Sequence, residues 1–434
     1  MTQTEFKRRR NQLMKMIGKG SIAILSSAQQ QTRNRDVDYP FRQDSDFLYL
    51  TGFSEPQAVL VLIPGRKHGE TILFCRENDP EQETWHGRRA GQQGAIENFG
   101  ADDSFPIDDI DDILPGMLEG RQKVFHFMGR YPEFDQQLMG WVNQIKAKSR
   151  SGAHVPYEYV ALDHLLFDMR LYKSRAEIAL MKKAAKISVA AHKRAMQICA
   201  PGKFEYTIEA EYNHEFTRNN AQHAYPPIVG GGANGCILHY TENDQKLNAG
   251  ELLLIDAGCE VEGYASDITR TFPVNGTYSP AQRAIYDIVW RAQQAAIKKV
   301  QPGNHWDDPH RAAVRVITKG LMDLKLLKGT LAKLIKEQAY RKFYMHRTGH
   351  WLGLDVHDVG DYKVGDQWRL LESGMVLTVE PGIYIPAHSK GVNKKWWNIG
   401  IRIEDDVLVT RQGHEVLTAA LPSKIADIEA LMAG

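Results

Sequence analysis

Hydrophobic residues in the N-terminal third of the chain come in short apolar runs, at residues 22–25, 58–63, 71–75 and 123–127, with the length and composition of strands. Stretches with helical spacing separate them, the alternation of an α/β domain. The first such stretch carries Phe6, Leu13 and Ile17 on one face, which leaves Lys7 to Arg10 as a solvated basic face. Residues 106–116 read as an acidic loop leading into a helix near Met117. The pattern changes near residues 168–174 and divides the chain into domains at 1–170 and 171–434. Ser174 and Glu177 are spaced as a capping box, and Ile178, Met181, Ala185, Val189, His192 and Met196 form a helical stripe behind it. His192 on that stripe reads as a packed core histidine. Pro201 and Gly202 stop this helix, and another starts near Thr207. Residues 225–235 are rich in glycine but lack the Gly-x-x-x-x-Gly-Lys-Ser/Thr pattern of a phosphate loop. They read instead as a strand and turn that carry His239 to the rim of a cavity. Helices at 280–299 and 310–319 then cover a sheet.

In the second domain the apolar segments hold acidic residues. Asp256 closes a nearly all-apolar run, and Asp267 follows on an alternating strand after a turn. With a two-residue loop at Val261 and Glu262, Asp256 sits directly opposite Asp267, their Cβ atoms ~4.5–5.5 Å apart. Two ionised carboxylates that close repel each other in a dry interior unless a cation or a proton intervenes. His346, His350 and His357 fall close together around Gly349 and Gly353, which suits a tightly turned segment rather than a helix. Thr378 and Glu380 share one face of a strand that Pro381 ends or restricts to an edge. Arg402 and Glu404 share a face against Ile401 and Ile403. Taken singly, each carboxylate reads as a solvated or salt-bridged group, with Arg402 neutralising Glu404 and Asp405 capping its strand. Taken jointly, Asp256, Asp267, His350, Glu380 and Glu404 are a hard, oxygen-rich donor set suited to two divalent ions such as Mn²⁺. That set points to a hydrolase.

The order and spacing of His239-Tyr240, Asp256-Ala-Gly, Asp267-Ile-Thr-Arg270, the segment from His350 to His357, Thr378 to Gly382 and Gly400 to Asp405 resemble the proline-specific aminopeptidases of the aminopeptidase P type. These belong to the pita-bread group with prolidase, methionine aminopeptidase and creatinase. Residues 39–53 resemble that family's N-terminal domain, and Glu83 to Gly87, with Trp85, its substrate-facing loop. The resemblance implies an α/β N-terminal domain, for substrate access and oligomerisation, and an α+β pita-bread catalytic domain. It implies two Mn²⁺ ions on Asp256, Asp267, His350, Glu380 and Glu404, with Asp267 and Glu404 bridging and a bridging hydroxide as nucleophile. His239, His346 and His357 then surround the ions or touch the substrate.

On this reading Glu380 takes the proton of the nucleophile and passes it to the leaving nitrogen, and His239 and His357 donate to the developing oxyanion. Substrates are peptides with proline second. Trp85, Tyr384 and His346 are candidates for an apolar shelf, and Arg402 ties charge near Glu404 or steers the substrate. Trp351 is either shelf or core, and no contact is assigned within 385–397. Prolidase, which cuts only dipeptides, shares the same ligands, and a metal-free binding module of this fold is expected to lose some of them. Relatives form homo-dimers or homo-tetramers, and Phe41, Phe47 and Tyr49 either serve such an interface or fill the small domain's core.

Composition narrows the field. A chain of 434 residues suffices for two or three domains, and 54 Lys plus Arg against 53 Asp plus Glu leaves no global basic field for nucleic acid. The four cysteines lack paired spacing, as reduced thiols in the cytoplasm would. The apolar run at 21–25 is too short for a membrane span, and the start lacks a signal sequence.

Overall fold

The computed structural model describes all 434 residues, which divide into two compact units, Met1–Met169 and Arg170–Gly434. The first is built on a six-stranded sheet in the order Asp103–Pro106, Thr71–Cys75, Val59–Leu62, Ser21–Ser26, Lys123–His126, Glu158–Ala161. Val59–Leu62 runs antiparallel to both its neighbours, and the other adjacent pairs are parallel. The four central strands are the four expected from apolar runs. The two edge strands are half-buried or exposed, so no apolar run marks them.

Three expectations for this unit are corrected. The acidic stretch is not a loop: Ile107–Asp109 forms a helical turn that continues as the helix Ile110–Leu118. Ile110, Leu114, Met117 and Leu118 recur at helical spacing and are buried, which outweighs the acidic residues and Pro115. The basic cluster is solvated only at Lys7 and Arg8, because Arg9 and Arg10 are 0% and 2% exposed. Arg9 donates to the carbonyl of Tyr49 at 2.9 Å and lies over its ring, while Arg10 donates to the carbonyls of Leu50 and Gly100, each at 2.9 Å. The segment around Trp85 is a short helix, Pro80–His86, capped by the Asp79 carboxylate and started by Pro80. Phe47 and Tyr49 are buried in the unit's own core on the helix Ser45–Thr51. Phe41 is half-buried.

In the second unit the capping box of Ser174 and Glu177 opens the helix Arg175–Ile198. Met181, Ala185, Val189, His192 and Met196 are buried on it, and the His192 ring meets Tyr212 edge to face. The helices Glu205–Arg218, Pro280–Ile297 and Asp307–Asp323 complete the cover. Of the unit's five small antiparallel sheets, three frame the site. One runs Ile228–Gly231, Leu252–Asp256, Thr269–Pro273, a second Val376–Val379, Asp405–Thr410, Gly413–Val416, and the third pairs Gly382–Ile385 with Ile399–Arg402. The first meets the chain beyond the third where Glu404 N–H donates to Thr269 O at 3.0 Å. Trp351 is buried, stacked on Tyr362, and so belongs to the core.

The turn before Asp267 is displaced from the expected one. Val261 pairs with Tyr264, so the two turn residues are Glu262 and Gly263, with φ of +50° and +82° as a type I′ turn requires. Asp256 therefore opposes Thr269 rather than Asp267. Asp267 is not on the strand of Thr269 but two residues before it, in the link after the turn, and its carboxylate still meets that of Asp256 at the Tyr225 hydroxyl.

Candidate metal centre

Side chains from these strands and from the turned segment after His346 converge. One carboxylate oxygen each from Asp267 and Glu404 and one ring nitrogen of His350 lie within 4.8 Å of one another. Asp267 sits just beyond the turn, Glu404 just beyond the strand Ile399–Arg402, and His350 where its backbone binds Thr378 through N–H and carbonyl. Glycine makes this close approach possible: a methyl at Gly349 would lie 2.0 Å from Thr378 O.

Asp256 and Glu380 border the cluster. The Tyr225 hydroxyl lies within hydrogen-bond distance of Asp256 Oδ1 and Asp267 Oδ1 and so spans the two carboxylates. Glu380 Oε1 is 3.6 Å and Asp267 Oδ2 3.5 Å from His350 Nε2. The His350 Nδ1 atom lies 3.0 Å from the carbonyl of Trp351, which assigns the proton to Nδ1. Nε2 is thereby aimed at the carboxylates, the arrangement by which a histidine serves as a metal ligand.

Arg402 does not neutralise Glu404. Its guanidinium donates to Asp256 Oδ2 at 2.5 Å, to Tyr384 Oη at 2.9 Å and to Thr269 Oγ1 at 3.1 Å. The Thr269 hydroxyl in turn donates to Glu404 Oε2 at 2.6 Å. Tyr384, accepting from Arg402, has its own proton for His346 Nε2 at 2.9 Å, and His346 Nδ1 lies 2.7 Å from the carbonyl of Arg347. His346 is thus a neutral ring protonated on Nδ1. Burial, reinforced by the charge of Arg402, pushes it down to about 3. Tyr384 is fully buried, with its hydroxyl between Arg402 and His346. Nor does Asp405 cap a strand: it is buried against Arg270, Gln293 and Thr418.

His239 and His357 are exposed, unlike the buried Asp267 and Glu404. The rings of His357 and His350 lie 4.2 Å apart, edge to face. The His239 segment is pressed backbone to backbone on the last strand of the site, with a methyl at Gly400 falling 2.0 Å from Gly235 O. Trp85, in the N-terminal unit, is 76% exposed. Sequence reasoning missed Tyr225, Thr269 and Asp406. The Asp406 carboxylate accepts the Asp267 N–H at 3.2 Å. Thr269 was recoverable from the alternation after Asp267, whereas nothing in the local pattern marks Tyr225.

Electrostatics test whether this set fits a cation. Burial, followed by the charges of Asp267, Glu380 and Asp256, raises Glu404 well above the carboxylate range. Burial lifts Glu380 to about 7 against the opposing charges of His350 and Arg402. Burial also raises Asp256, although Arg402 opposes it. At His350 burial favours the neutral ring, but hydrogen bonding to Asp267 and the charges of Glu380 and Asp267 prevail and raise it to about 9. Without cations, protons occupy the places that positive charge must fill. Carboxylate oxygens and an imidazole are the donors that a hard divalent ion takes, so the residues fit.

Residues 179–411 match the model of metallopeptidase family M24, and residues 6–126 that of the aminopeptidase P N-terminal domain. The chain is 46% identical over 434 residues to the Xaa-Pro aminopeptidase of Escherichia coli (strain K12), covering 100% of this chain and 98% of that protein. It superposes with a TM-score of 0.99 on aminopeptidase PepP of Pseudomonas aeruginosa, at 58% identity, covering 100% of this chain and 98% of that one. Aminopeptidase P of E. coli with the inhibitor Pro-Leu gives a TM-score of 0.97 at 45% identity, with the same coverage of 100% and 98%. The chain belongs to metallopeptidase family M24, with the pita-bread catalytic fold expected from its motifs. Within that family it is a member of the Xaa-Pro aminopeptidases, metal-dependent exopeptidases with an α/β domain ahead of the catalytic one.

Proposed function

We propose that the protein removes the first residue from peptides whose second residue is proline, using two Mn²⁺ ions held by Asp256, Asp267, His350, Glu380 and Glu404, with Asp267 and Glu404 shared. The observation that carries this reading is the gathering of Asp267, His350 and Glu404 within 4.8 Å, at a place where buried carboxylates retain protons. When bound, such ions supply Lewis acidity towards the scissile carbonyl and lower the pKa of water.

The chain's own residues do the rest. Glu380 takes a proton from the attacking water and returns it to the departing proline nitrogen. His239 and His357, exposed beside the buried cluster, donate to the oxygen that becomes negative. The neutral His346 ring, held by Tyr384 and Arg402, forms an apolar shelf for proline, whose nitrogen carries no N–H and whose φ is fixed. The Pro-Leu inhibitor of the E. coli relative is consistent with recognition of a prolyl group. The exposed Trp85 is a contact for peptide or for a second copy in a homo-dimer or homo-tetramer, with the N-terminal domain serving substrate access and oligomerisation. No helix is long and apolar enough to cross a membrane, and the cytoplasm is the proposed location. Activity on an Arg-Pro-Pro peptide and on Gly-Pro in Mn²⁺ tests the reading. Removal of arginine from the tripeptide supports it, whereas turnover of Gly-Pro alone would make the protein a prolidase.

A further inference from the structure

Asp267 and Glu404 come from segments far apart in sequence, and sharing ions between them requires a fixed separation. Neither carboxylate sets that separation by itself. One buried network reaches the backbone of both.

Its centre is Arg270, only 1% exposed. The guanidinium donates from Nη1 to the backbone carbonyls of Glu404 at 2.5 Å and Thr269 at 3.0 Å, and from Nη2 to the Asp405 carboxylate at 2.8 Å. Nη2 also reaches the carbonyl of Leu421 at 3.2 Å, and Nε that of Pro422 at 2.9 Å. Asp405 is held from two further sides, by Gln293 Nε2 at 2.6 Å and by the Thr418 hydroxyl at 2.6 Å. Thr418 Oγ1 also accepts the Asp406 N–H at 3.2 Å, and the Asp406 carboxylate accepts the Asp267 N–H at the same distance. Glu404 is therefore gripped through its carbonyl and Asp267 through its amide, with Asp405 as the shared anchor. None of these contacts uses a ligand oxygen.

We propose that Arg270 and Asp405 are positioning residues that fix the separation of Asp267 and Glu404, and so decide whether the chain holds a pair of divalent ions or only one. The proposal rests on the metal reading above. A guanidinium is suited to this role because its planar donors reach several acceptors at once, whereas a lysine in its place keeps the charge and loses the fork. A merely structural ion pair would affect folding and leave metal affinity alone.

The test is calorimetric titration of the full, metal-stripped chain with Mn²⁺, beside kcat and KM at saturating Mn²⁺. The unaltered protein, Asp405→Asn, Arg270→Lys and, as a destabilised control, Arg10→Met are compared. Asp405→Asn and Arg270→Lys are expected to weaken one of two Mn²⁺ bindings at least tenfold and to lower kcat at least tenfold, with KM within threefold. Arg10→Met is expected to lower the melting temperature with both affinities unchanged. Should Asp405→Asn fail to fold, Arg270→Lys and Gln293→Leu carry the test. Folded variants with both affinities within threefold of the unaltered protein overturn the proposal. An unaltered protein that binds no Mn²⁺ overturns the metal reading first, and the proposal with it.

Discussion

Arg402 and Asp256 form a 2.5 Å ion pair at the edge of the acidic cluster, and Arg402 is the side chain through which that carboxylate reaches Tyr384 and Thr269. Arg402→Lys retains the charge but cannot span Asp256, Tyr384 and Thr269 at once. Its kcat/KM on an Xaa-Pro peptide is expected to fall about 10- to 100-fold, a loss of roughly 1.4–2.8 kcal/mol of transition-state stabilisation. Steady-state kinetics at saturating Mn²⁺ measure this, and an unchanged kcat/KM would remove Arg402 from the mechanism.

Glu380 is bound by its N–H to Thr348 O at 2.8 Å and lies 3.6 Å from His350. Glu380→Ala is expected to lower kcat at least 1,000-fold, a step of about 4 kcal/mol. His239→Ala and His357→Ala should lower kcat about 10- to 1,000-fold while the chain keeps its metal, as loss of oxyanion donors does. Metal content by elemental analysis, beside kcat, separates the two roles.

Metal binding should depend on pH in a definite direction. In the cation-free protein Glu380 titrates near 7, Glu404 well above its ordinary range, and His350 keeps its proton to about 9. A divalent ion takes the deprotonated groups, so the metal-free state binds more protons and rising pH favours the loaded one. Mn²⁺ affinity should strengthen from about pH 6 to pH 9, with proton release visible by calorimetry in buffers of different ionisation enthalpy. An affinity flat across that window contradicts the arrangement.

His192 is buried against the carbonyl of Ala257, and burial lowers it to about 3. Its folded pKa is depressed below the unfolded value near 6.5, so its contribution is complete above 6.5 and is lost as pH falls towards 3. His192→Gln should flatten part of the stability loss over that range in chemical denaturation. His192→Ala should lower stability by about 2–4 kcal/mol through the cavity it leaves, with kcat within threefold.

Arg10 hydrogen-bonds two backbone carbonyls in the N-terminal unit, and burial lowers its pKa to about 10. Arg10→Met leaves those carbonyls without that donor and should cost about 2–3 kcal/mol of stability. Thermal unfolding followed beside Mn²⁺ titration checks that the loss stays outside the metal centre.

Much of the fold was legible because its signals are local. The four apolar runs became the centre of the first sheet, and Ser174 with Glu177 opened the long helix as spaced. Errors arose where partners lie far along the chain. Arg9 and Arg10 look solvated until Tyr49, Leu50 and Gly100 supply carbonyls for them. Likewise Arg402 looks like a partner for its neighbour Glu404 until Asp256 arrives from another sheet. The convergence of Asp267, His350 and Glu404 was visible in the residue types, but the register at Glu262 and Gly263 was not, because hydrophobic alternation tolerates a turn displaced by one position. Tyr225 escaped because its role exists only between two carboxylates on other segments.

The bare backbone contact between Gly400 and Gly235 works as a spacer of zero length. A single methyl at Gly400 would lever the segment bearing His239 outward without adding or removing any charge. Rim and ligand cluster could then be uncoupled mechanically, which makes this pair of glycines a place to ask how finely the reach of one imidazole governs turnover.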